Sequence, residues 1–479
     1  MTAGRLIVRG AGASAGGLVV RLGARLLFLI VAAQLYGAAL FGAFALAVAA
    51  IELAVAIGGL GMKRLLFQHL DEHGARPAAH VLADAAASVA ASSALLAGAV
   101  MAAVAVVPAS LVSANSAAAL FWLAPMIAGQ ALLDLLLAAT RWKHLIRYEI
   151  AGRSFVEPYA AVAGAAGAWY LGFDQSGLLI GYWCGTLAAL AFALAGVGRA
   201  FAFADLASWR PRRRRMAGMM RHAAANTAAD GLSGLLVRLD LYLVGILLGE
   251  RAAGIYGMAR QLALPIRQVR QSFDALLTPL VAKTLKARGA AVAARAVASA
   301  ARLILALQLP MVIGMIAVGY PLLRWLGPEF AAGWVAAVLL AAAETVQGAF
   351  GIGELLFVYR RPRLGLVIMA ASIALGLTAG FAFTSIWGLT GAAGAVLLTY
   401  AARAWARRAA LKLSLGAGVP VRHAFGPAFA GAAGAAAALA LLPAGWPLAA
   451  AGGLAAYLAL LFGWLRLSGE RLALDHFQA

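Results

Sequence analysis

Arginine residues recur at helical spacing inside an apolar segment near the middle of the chain. Arg260, Arg267 and Asp274 stand seven residues apart, so they follow one stripe of an α-helix with about 20° of drift per step. A guanidinium group grips a phosphate through two parallel hydrogen bonds and stays charged at any physiological pH. The stripe therefore predicts a polar passage for an anionic ligand. A structural salt bridge between Arg270 and Asp274 is the alternative for its inner part.

A second pair of arginines lies in the first apolar segment. Arg21 and Arg25 are four residues apart and share one face of a helix. Near mid-bilayer each would cost about 2.5–3.5 kcal/mol if it faced lipid, so we expect both to face a wet cavity or partner carboxylates. In the alternative, the helix begins near Leu26 and both arginines lie at the inner interface as topology anchors.

Acidic residues also lie inside apolar segments, where each could neutralise an arginine or carry a coupling ion. We favour the neutralising role. Arg238 joins the candidate substrate ligands, but it stands only two residues from Asp240, so the two side chains point in different directions and should not pair. The acids concerned are Glu52, Asp84, Asp134, Asp240, Asp274 and Glu344.

The elements that must position these residues are membrane helices. Hydrophobic residues make up 64% of the chain and charged residues 12%, whereas a soluble domain usually carries about 25% charge. About fourteen apolar segments approach the roughly 20 residues that a membrane helix needs. No segment alternates with period two, which argues against a β-barrel. The predicted spans lie near 12–34, 41–61, 81–107, 118–140, 150–171, 178–198, 223–248, 254–281, 299–321, 334–357, 364–384, 388–406, 424–442 and 447–466.

The basic residues mark the orientation of these spans. Most of the 39 Lys and Arg residues fall in every second gap, and the other gaps hold only Arg251 and Arg324. This positive-inside pattern predicts a bacterial inner-membrane protein with both termini in the cytoplasm. The net charge of +21 is then explained by loops that meet anionic headgroups, and we expect membrane lipids rather than nucleic acid as partners.

An internal repeat divides the chain. Gly37–Phe44 and Gly249–Tyr256 both read Gly-x4-Gly-x-aromatic, and they lie 212 residues apart. The predicted fold is all-α, with two six-helix lobes around a central cavity and two added C-terminal helices. The predicted divisions are an N-terminal lobe at 1–198, a basic cytoplasmic linker at 199–222, a C-terminal lobe at 223–411, and two further spans with a cytoplasmic tail at 412–479.

Several classes of function are disfavoured. The loops are too short to build a catalytic domain, and the chain lacks a Gly-x4-Gly-Lys-Ser/Thr phosphate loop. A single cysteine, Cys184, allows no internal disulfide. His69 and His73 have metal-site spacing, but Leu70 follows the first histidine where a metalloprotease helix of the H-E-x-x-H type has its glutamate. We therefore expect a monomeric transporter without a metal or a cofactor, and not an enzyme.

Several segments resemble polysaccharide flippases of the Wzx type. Leu239–Leu262 resembles the signature of spans seven and eight in that family, and Pro279 fits the same pattern. Leu326–Gly333 resembles the loop between spans nine and ten. Leu35–Phe44, with Gly59-Leu-Gly61-Met after it, resembles the N-terminal pattern. Outside these segments the resemblance is one of hydropathy only.

The resemblance implies the multidrug/oligosaccharidyl-lipid/polysaccharide exporter superfamily. Its oligosaccharide branch moves undecaprenyl-pyrophosphate-linked glycans to the outer leaflet by alternating access through a cationic cavity. Arg260 stands at the basic position of that family, and Arg21 and Arg25 resemble basic residues on the first span of lipid II flippases. A polysaccharide polymerase and glycosyltransferases are the candidate protein partners. The alternatives are a lipid II flippase, a small-molecule antiporter of the drug-export branch, and a scaffold that docks biosynthetic enzymes.

Overall fold

The structure is a computed structural model, and it describes residues 22–72, 77–107, 113–211, 213–351, 362–415 and 422–468. Within these ranges the chain forms helices and short connections, without a strand. The all-α membrane fold predicted from the sequence is confirmed. The helices are α1 (22–36, its last turn Ala32–Tyr36 in π form), α2 (Gly37–Gly58), α3 (Met62–Asp71), α4 (Ala78–Val106), α5 (Ala114–Leu123), α6 (Met126–Trp142), α7 (Ile146–Ala151), α8 (Glu157–Tyr170), α9 (Gly177–Ala200), α10 (Phe203–Ala207), α11 (Arg213–Leu248), α12 (Glu250–Arg288), α13 (Ala290–Leu326), α14 (Trp334–Gly351), α15 (Pro362–Leu415), α16 (Arg422–Leu441) and α17 (Trp446–Ser468).

Nine helical stretches of the described chain are long and apolar enough to cross a membrane, and the bent pair α5–α6 makes a tenth. The predicted count of fourteen is not confirmed. Two of the nine stretches, Leu22–Gly58 and Leu364–Leu413, are far longer than one bilayer crossing requires, and each contains a glycine with non-helical backbone. The predicted spans 150–171 and 254–281 are not among the ten, and both carry charged residues that reappear in the site below.

The repeat motif found in the sequence adopts the same backbone conformation at both places. Gly37 has φ +71° and ψ 179°, and Gly249 has φ +84° and ψ 178°. Only glycine takes this conformation without steric strain. Each glycine stands at the start of a long helix, α2 and α12, and the aromatic residue of each motif is buried, as Phe44 and Tyr256.

The described chain divides into two compact units, residues 1–238 and 239–479. This division falls inside helix α11 rather than in a loop. The predicted linker at 199–222 contains the end of α9, the short helix α10 and the first turns of α11. The lobe boundaries drawn from the sequence stay a prediction.

The core of the first unit is built from apolar faces at helical spacing. Met62, Leu66 and Leu70 follow one face of α3 and are fully buried. They pack in a cluster with residues of α4, α6 and α9. Lys63 and Phe67 lie about 100° further around α3, where they line the space that forms the site.

Small residues bring α8 and α9 together. A Cβ atom at Gly181 would lie 2.7 Å from the carbonyl oxygen of Ala161, and one at Gly164 would lie 2.7 Å from Cβ of Cys184. Close approach of backbones through glycine is a common way for helices to associate within a membrane. The contact fixes α9 against α8, and both helices supply side chains to the site.

The second unit ends in a helical pair that packs against α13. Tyr457 of α17 is buried and donates a hydrogen bond of 2.7 Å to the carbonyl oxygen of Ala306. Gly434 and Gly453 lie where α16 and α17 approach closely, because a Cβ atom on either would lie within 2.9 Å of the other's carbonyl oxygen. These helices are the two C-terminal elements that the sequence predicts after the second lobe.

We predict opposite outcomes for alanine at two glycines of the α8–α9 region. Gly181→Ala forces a Cβ into the backbone of α8, and overpacking of this kind costs about 1–3 kcal/mol. Gly167→Ala adds a Cβ where no atom lies within 4 Å and should be neutral or slightly stabilising. Thermal unfolding of the purified protein in detergent checks this through the two apparent Tm values. Equal Tm values would mean that the helices are not packed as described.

Candidate functional site

A cavity of about 720 Å³ lies within the first unit. Helices α2, α3, α6, α8, α9 and α11 surround it, together with the π-helical turn Gly152–Val156 between α7 and α8. Its described lining contains four basic and four acidic side chains, so the cavity is strongly polar yet balanced in charge. They are Lys63, Arg141, Arg153, Arg238, Glu52, Asp134, Glu157 and Asp230.

Arg153 is the centre of the hydrogen-bond network in this cavity. Its Nη1 donates to Glu157 Oε2 at 2.9 Å and to Gln130 Oε1 at 3.1 Å. Its Nη2 forms a close ion pair with Asp134. Arg153 lies in the π-helical turn, four residues before Glu157, and this spacing places both side chains on one face.

Gln130 fixes the position of the Glu157 carboxylate through a hydrogen bond. Its Nε2 donates to Glu157 Oε1 at 3.0 Å and to the hydroxyl of Thr186 at 2.9 Å, while its Oε1 accepts from Arg153. Gln130 and Thr186 are both buried. The network therefore ties α6, α8 and α9 together and holds the Arg153 guanidinium in one orientation.

Arg238 and Glu52 form a second ion pair in the same cavity. The Nε and Nη2 atoms of Arg238 donate to Glu52 Oε2 at 3.1 and 2.6 Å. Its Nη1 donates to the carbonyl oxygen of Gly234 at 3.1 Å. The sequence predicts Arg238 as a substrate ligand and Glu52 as a neutralising acid, and the structure places the two against each other.

Two further cations lie at the cavity around helix α3. Lys63 Nζ is 3.3 Å from Asp134 Oδ1. Arg141 Nη1 is 3.1 Å from Glu149 Oε1, and its guanidinium carbon lies 5.1 Å from the centroid of the Phe67 ring. Asp134 therefore accepts from two cations, Lys63 and Arg153, through the same oxygen.

The second unit contains its own pairs of charged residues. Asp240 of α11 accepts a hydrogen bond of 2.9 Å from the hydroxyl of Tyr256 and one of 3.2 Å from Arg260 Nη1. One step further along the predicted stripe, Arg267 forms a close ion pair with Glu344 of α14. Both carboxylate side chains are only 8% exposed, so the charges of Arg260 and Arg267 are compensated inside the unit.

Each unit contains an ion pair between a base that follows the repeat motif and an acid further along the chain. In the first unit a base that follows α2 pairs with Asp134 of α6. In the second unit a base on α12 pairs with Glu344 of α14. The two acids are 210 residues apart, close to the offset between the glycine motifs. The two bases, Lys63 and Arg267, are only 204 residues apart, so the two ion pairs are similar in kind but do not occupy equivalent positions of the repeat.

Some predicted site residues are not brought into these clusters. Arg25 is half-buried in α1 and is not among the described residues that line the cavity. Arg21 and the side chain of Asp274 lie outside what the structure describes. Asp84 accepts a hydrogen bond from Trp209 Nε1 at 2.9 Å. The substrate-binding and ion-coupling roles assigned from the sequence stay predictions.

The sequence analysis missed the central residues of the first cluster. Arg153 stands close to the predicted start of its span at 150, so it counted with the cytoplasmic basic residues. The available signal was the i,i+4 spacing of Gln130 and Asp134 on one span and of Arg153 and Glu157 on the next. Two such polar pairs on neighbouring apolar helices indicate facing partners.

Comparison with solved structures shows which fold the chain has. A lipid II flippase, MurJ, in an inward closed conformation superposes with a TM-score of 0.76 at 10% identity, covering 95% of this chain and 99% of that one. An inward-facing multidrug resistance transporter of the MATE family, in the MOP superfamily, superposes with a TM-score of 0.60 at 13% identity. That match covers 83% of this chain and 99% of the transporter. The chain therefore has the fold of these multi-pass membrane transporters.

The family follows from the sequence match. A model of the polysaccharide biosynthesis protein family matches residues 31–339, and the chain belongs to this family. No curated protein matches the chain in a direct sequence search. The family resemblance predicted from the span-seven and span-nine motifs is confirmed.

We predict strong energetic coupling between Arg267 and Glu344. Removing one partner leaves a poorly solvated charge, so Glu344→Gln and Arg267→Gln should each destabilise the protein, and the double variant should lose less than their sum. The coupling free energy should be roughly 0.5–3 kcal/mol. Thermal unfolding of the four proteins in detergent measures it.

The pair Arg251–Glu329 is the matched control. It also lies in the second unit, but the Arg251 side chain is 71% exposed, and exposed pairs contribute about 0–1 kcal/mol. A coupling at Arg267–Glu344 no larger than at Arg251–Glu329 would contradict the described geometry.

Proposed function

We propose that the protein is a flippase for cell-surface polysaccharide biosynthesis. It moves an undecaprenyl-pyrophosphate-linked oligosaccharide from the cytoplasmic to the periplasmic leaflet of the bacterial inner membrane, by alternating access and with both termini in the cytoplasm. The polysaccharide biosynthesis family supports the class of substrate. The fold shared with two solved transporters supports the mode of action.

The observation that carries this proposal is the charged cavity of the first unit. Ionised side chains inside apolar helices are costly and usually mark a path for a polar ligand. The volume of about 720 Å³ falls in the range of roughly 300–1,000 Å³ that small-molecule sites occupy. A cavity of this size receives a polar headgroup and its first sugars, while the long hydrocarbon tail stays in lipid.

The two kinds of charge suit the two parts of such a headgroup. Guanidinium and ammonium groups bind phosphate oxygens through charge-assisted hydrogen bonds. Carboxylates accept hydrogen bonds from sugar hydroxyls. A pyrophosphate-linked glycan offers a partner to both kinds of side chain.

The ion pairs hold the arginine side chains in place until a phosphate oxygen of the ligand replaces one of their carboxylate partners. Without ligand, Glu52 compensates Arg238, and Asp134 with Glu157 compensates Arg153. The pairs avoid the cost of an uncompensated cation and fix each guanidinium in place. A phosphate oxygen, like a carboxylate oxygen, is negatively charged and accepts hydrogen bonds from a guanidinium group, so it can replace one partner.

The second unit contributes the other predicted ligands. Arg260 and Arg267 of this unit contact the pyrophosphate or acidic sugars later in the cycle. Arg21 and Arg25, which belong to the first unit, do the same. Asp240 and Glu344 neutralise the first two arginines when the ligand is absent. Asp274 is assigned the same neutralising role. Transport is driven by an ion gradient or the membrane potential, and a polymerase and glycosyltransferases act on the same glycan.

We predict that Arg260→Gln and Arg267→Gln each lower the rate of headgroup translocation about tenfold, because each removes one charge-assisted contact with the substrate. The measurement uses the purified protein in liposomes with a fluorescent undecaprenyl-pyrophosphate-linked oligosaccharide, whose arrival in the second leaflet is read by a membrane-impermeant quencher. Arg251→Gln, an exposed arginine in a predicted outer loop, is the control and should keep the wild-type rate.

The same assay separates the alternatives. Translocation of lipid II in place of the oligosaccharide-linked lipid would assign the protein to peptidoglycan synthesis, and export of a small cationic drug would assign it to drug efflux. Failure to move any lipid would overturn the flippase proposal. Wild-type rates in both arginine variants would overturn the site assignment alone.

A further inference from the structure

The four cations of the first-unit cavity differ in how far they reach solvent. The side chains of Lys63 and Arg141 are 48% and 39% exposed, whereas those of Arg153 and Arg238 are 24% and 19% exposed. All four line the same cavity. Lys63 and Arg141 are therefore the cations that an arriving ligand can reach first.

Arg153 and Arg238, the two less exposed arginines, each make three hydrogen bonds through the guanidinium group. All three guanidinium nitrogens of Arg238 donate, two to Glu52 and one to the carbonyl oxygen of Gly234. Both Nη atoms of Arg153 donate, to Glu157, Gln130 and Asp134. These bonds join the π-helical turn to α6 and α11 to α2, so both guanidinium groups are already fixed in place before a ligand arrives.

Lys63 and Arg141, the two more exposed cations, have N–H groups that are not engaged by any described acceptor. An ammonium group has three N–H donors and a guanidinium group has five. Within the described ranges Lys63 donates only to Asp134, and Arg141 only to Glu149. The remaining N–H groups of both side chains meet no acceptor among those residues, so they can receive phosphate oxygens without the loss of a bond.

Local structure holds these two cations at the same part of the cavity. Leu60 and Gly61 take positive φ values of 54° and 58° in the turn from which α3 starts. Lys63 and Phe67 share a face of this helix because they are four residues apart. The Phe67 ring then supports the Arg141 guanidinium through a cation–π contact. Asp134 anchors Lys63 from the neighbouring helix α6.

We propose that Lys63 and Arg141 form the site that first captures the pyrophosphate of the lipid-linked substrate, on the cytoplasmic side of the cavity. This inference rests on the flippase function proposed above. Arg153 and Arg238, which are less exposed and held in ion pairs, contact the pyrophosphate only after this first capture. The sequence pattern treats Lys63 and Arg141 only as topology signals.

Two neighbouring basic residues, Lys143 and Arg147, are controls for the effect of positive charge on membrane topology alone. Lys143 lies against the rings of Trp142 and Phe201, and Arg147 lies against Tyr148. Both stand in the same predicted cytoplasmic gap as Arg141, and neither is among the described residues that line the cavity. Substitution at these positions removes the same charge from the same side of the membrane.

The test measures binding of undecaprenyl pyrophosphate to the full-length protein in nanodiscs. Lys63→Gln and Arg141→Gln should each weaken binding about tenfold, because each removes charged hydrogen bonds to phosphate. Lys143→Gln and Arg147→Gln should bind as the wild type does. The charge-preserving variants Lys63→Arg and Arg141→Lys should recover most of the affinity. A parallel series with phosphatidylglycerol tests the other source of lipid phosphate.

Each result decides the proposal. Loss of affinity for undecaprenyl pyrophosphate, without loss for phosphatidylglycerol, supports it. Unchanged affinity in Lys63→Gln and Arg141→Gln overturns it while leaving the flippase function intact. An equal loss for both lipids overturns the assignment to pyrophosphate, because the site would then bind any lipid phosphate. A wild-type protein that neither binds nor translocates the carrier lipid overturns the function itself.

Discussion

Charged side chains in an apolar helical bundle must meet counter-charges or water, and this constraint organises both units of the protein. Arg153 meets Asp134 and Glu157, Arg267 meets Glu344, and Arg260 meets Asp240. An unpaired ion at these places would be costly enough to disturb folding. The pairs therefore serve two purposes: they make the bundle stable, and they keep polar groups available where a polar ligand must pass.

Irregular backbone supplies the geometry that regular helices cannot. The π-helical turn Gly152–Val156 carries Arg153 at its second position, and such turns recur at functional sites because they re-aim side chains within a helix. The turn at Leu60 and Gly61 sets the face that α3 presents to the cavity. Glycine packing between α8 and α9 then fixes Thr186 against Gln130. The site is thus held by several helices, and no single one could form it.

The internal repeat has been kept in some features and altered in others. Gly37 and Gly249 share one backbone conformation, whereas Asp134 and Glu344 pair with bases at different positions of the repeat. The first unit has added Arg153, Gln130 and Glu157 around its acid, and in this unit the charges line a cavity of substantial volume. The two units thus share the glycine turn and differ in how their charged side chains are arranged.

The sequence by itself determined the class of fold, the membrane setting and the family, because hydropathy, charge alternation and short motifs are local properties of the chain. It also identified Glu52, Arg238, Arg260 and Glu344 as charges within apolar segments. It could not decide which acid meets which base. Arg238 and Glu52 are 186 residues apart, and Lys63 and Asp134 are 71 apart, so each pairing depends on how neighbouring helices rotate and pack. Only the tertiary structure made Arg153 the centre of the site and left Lys63 and Arg141 with donors to spare, since both outcomes arise from contacts between helices that are distant in the chain.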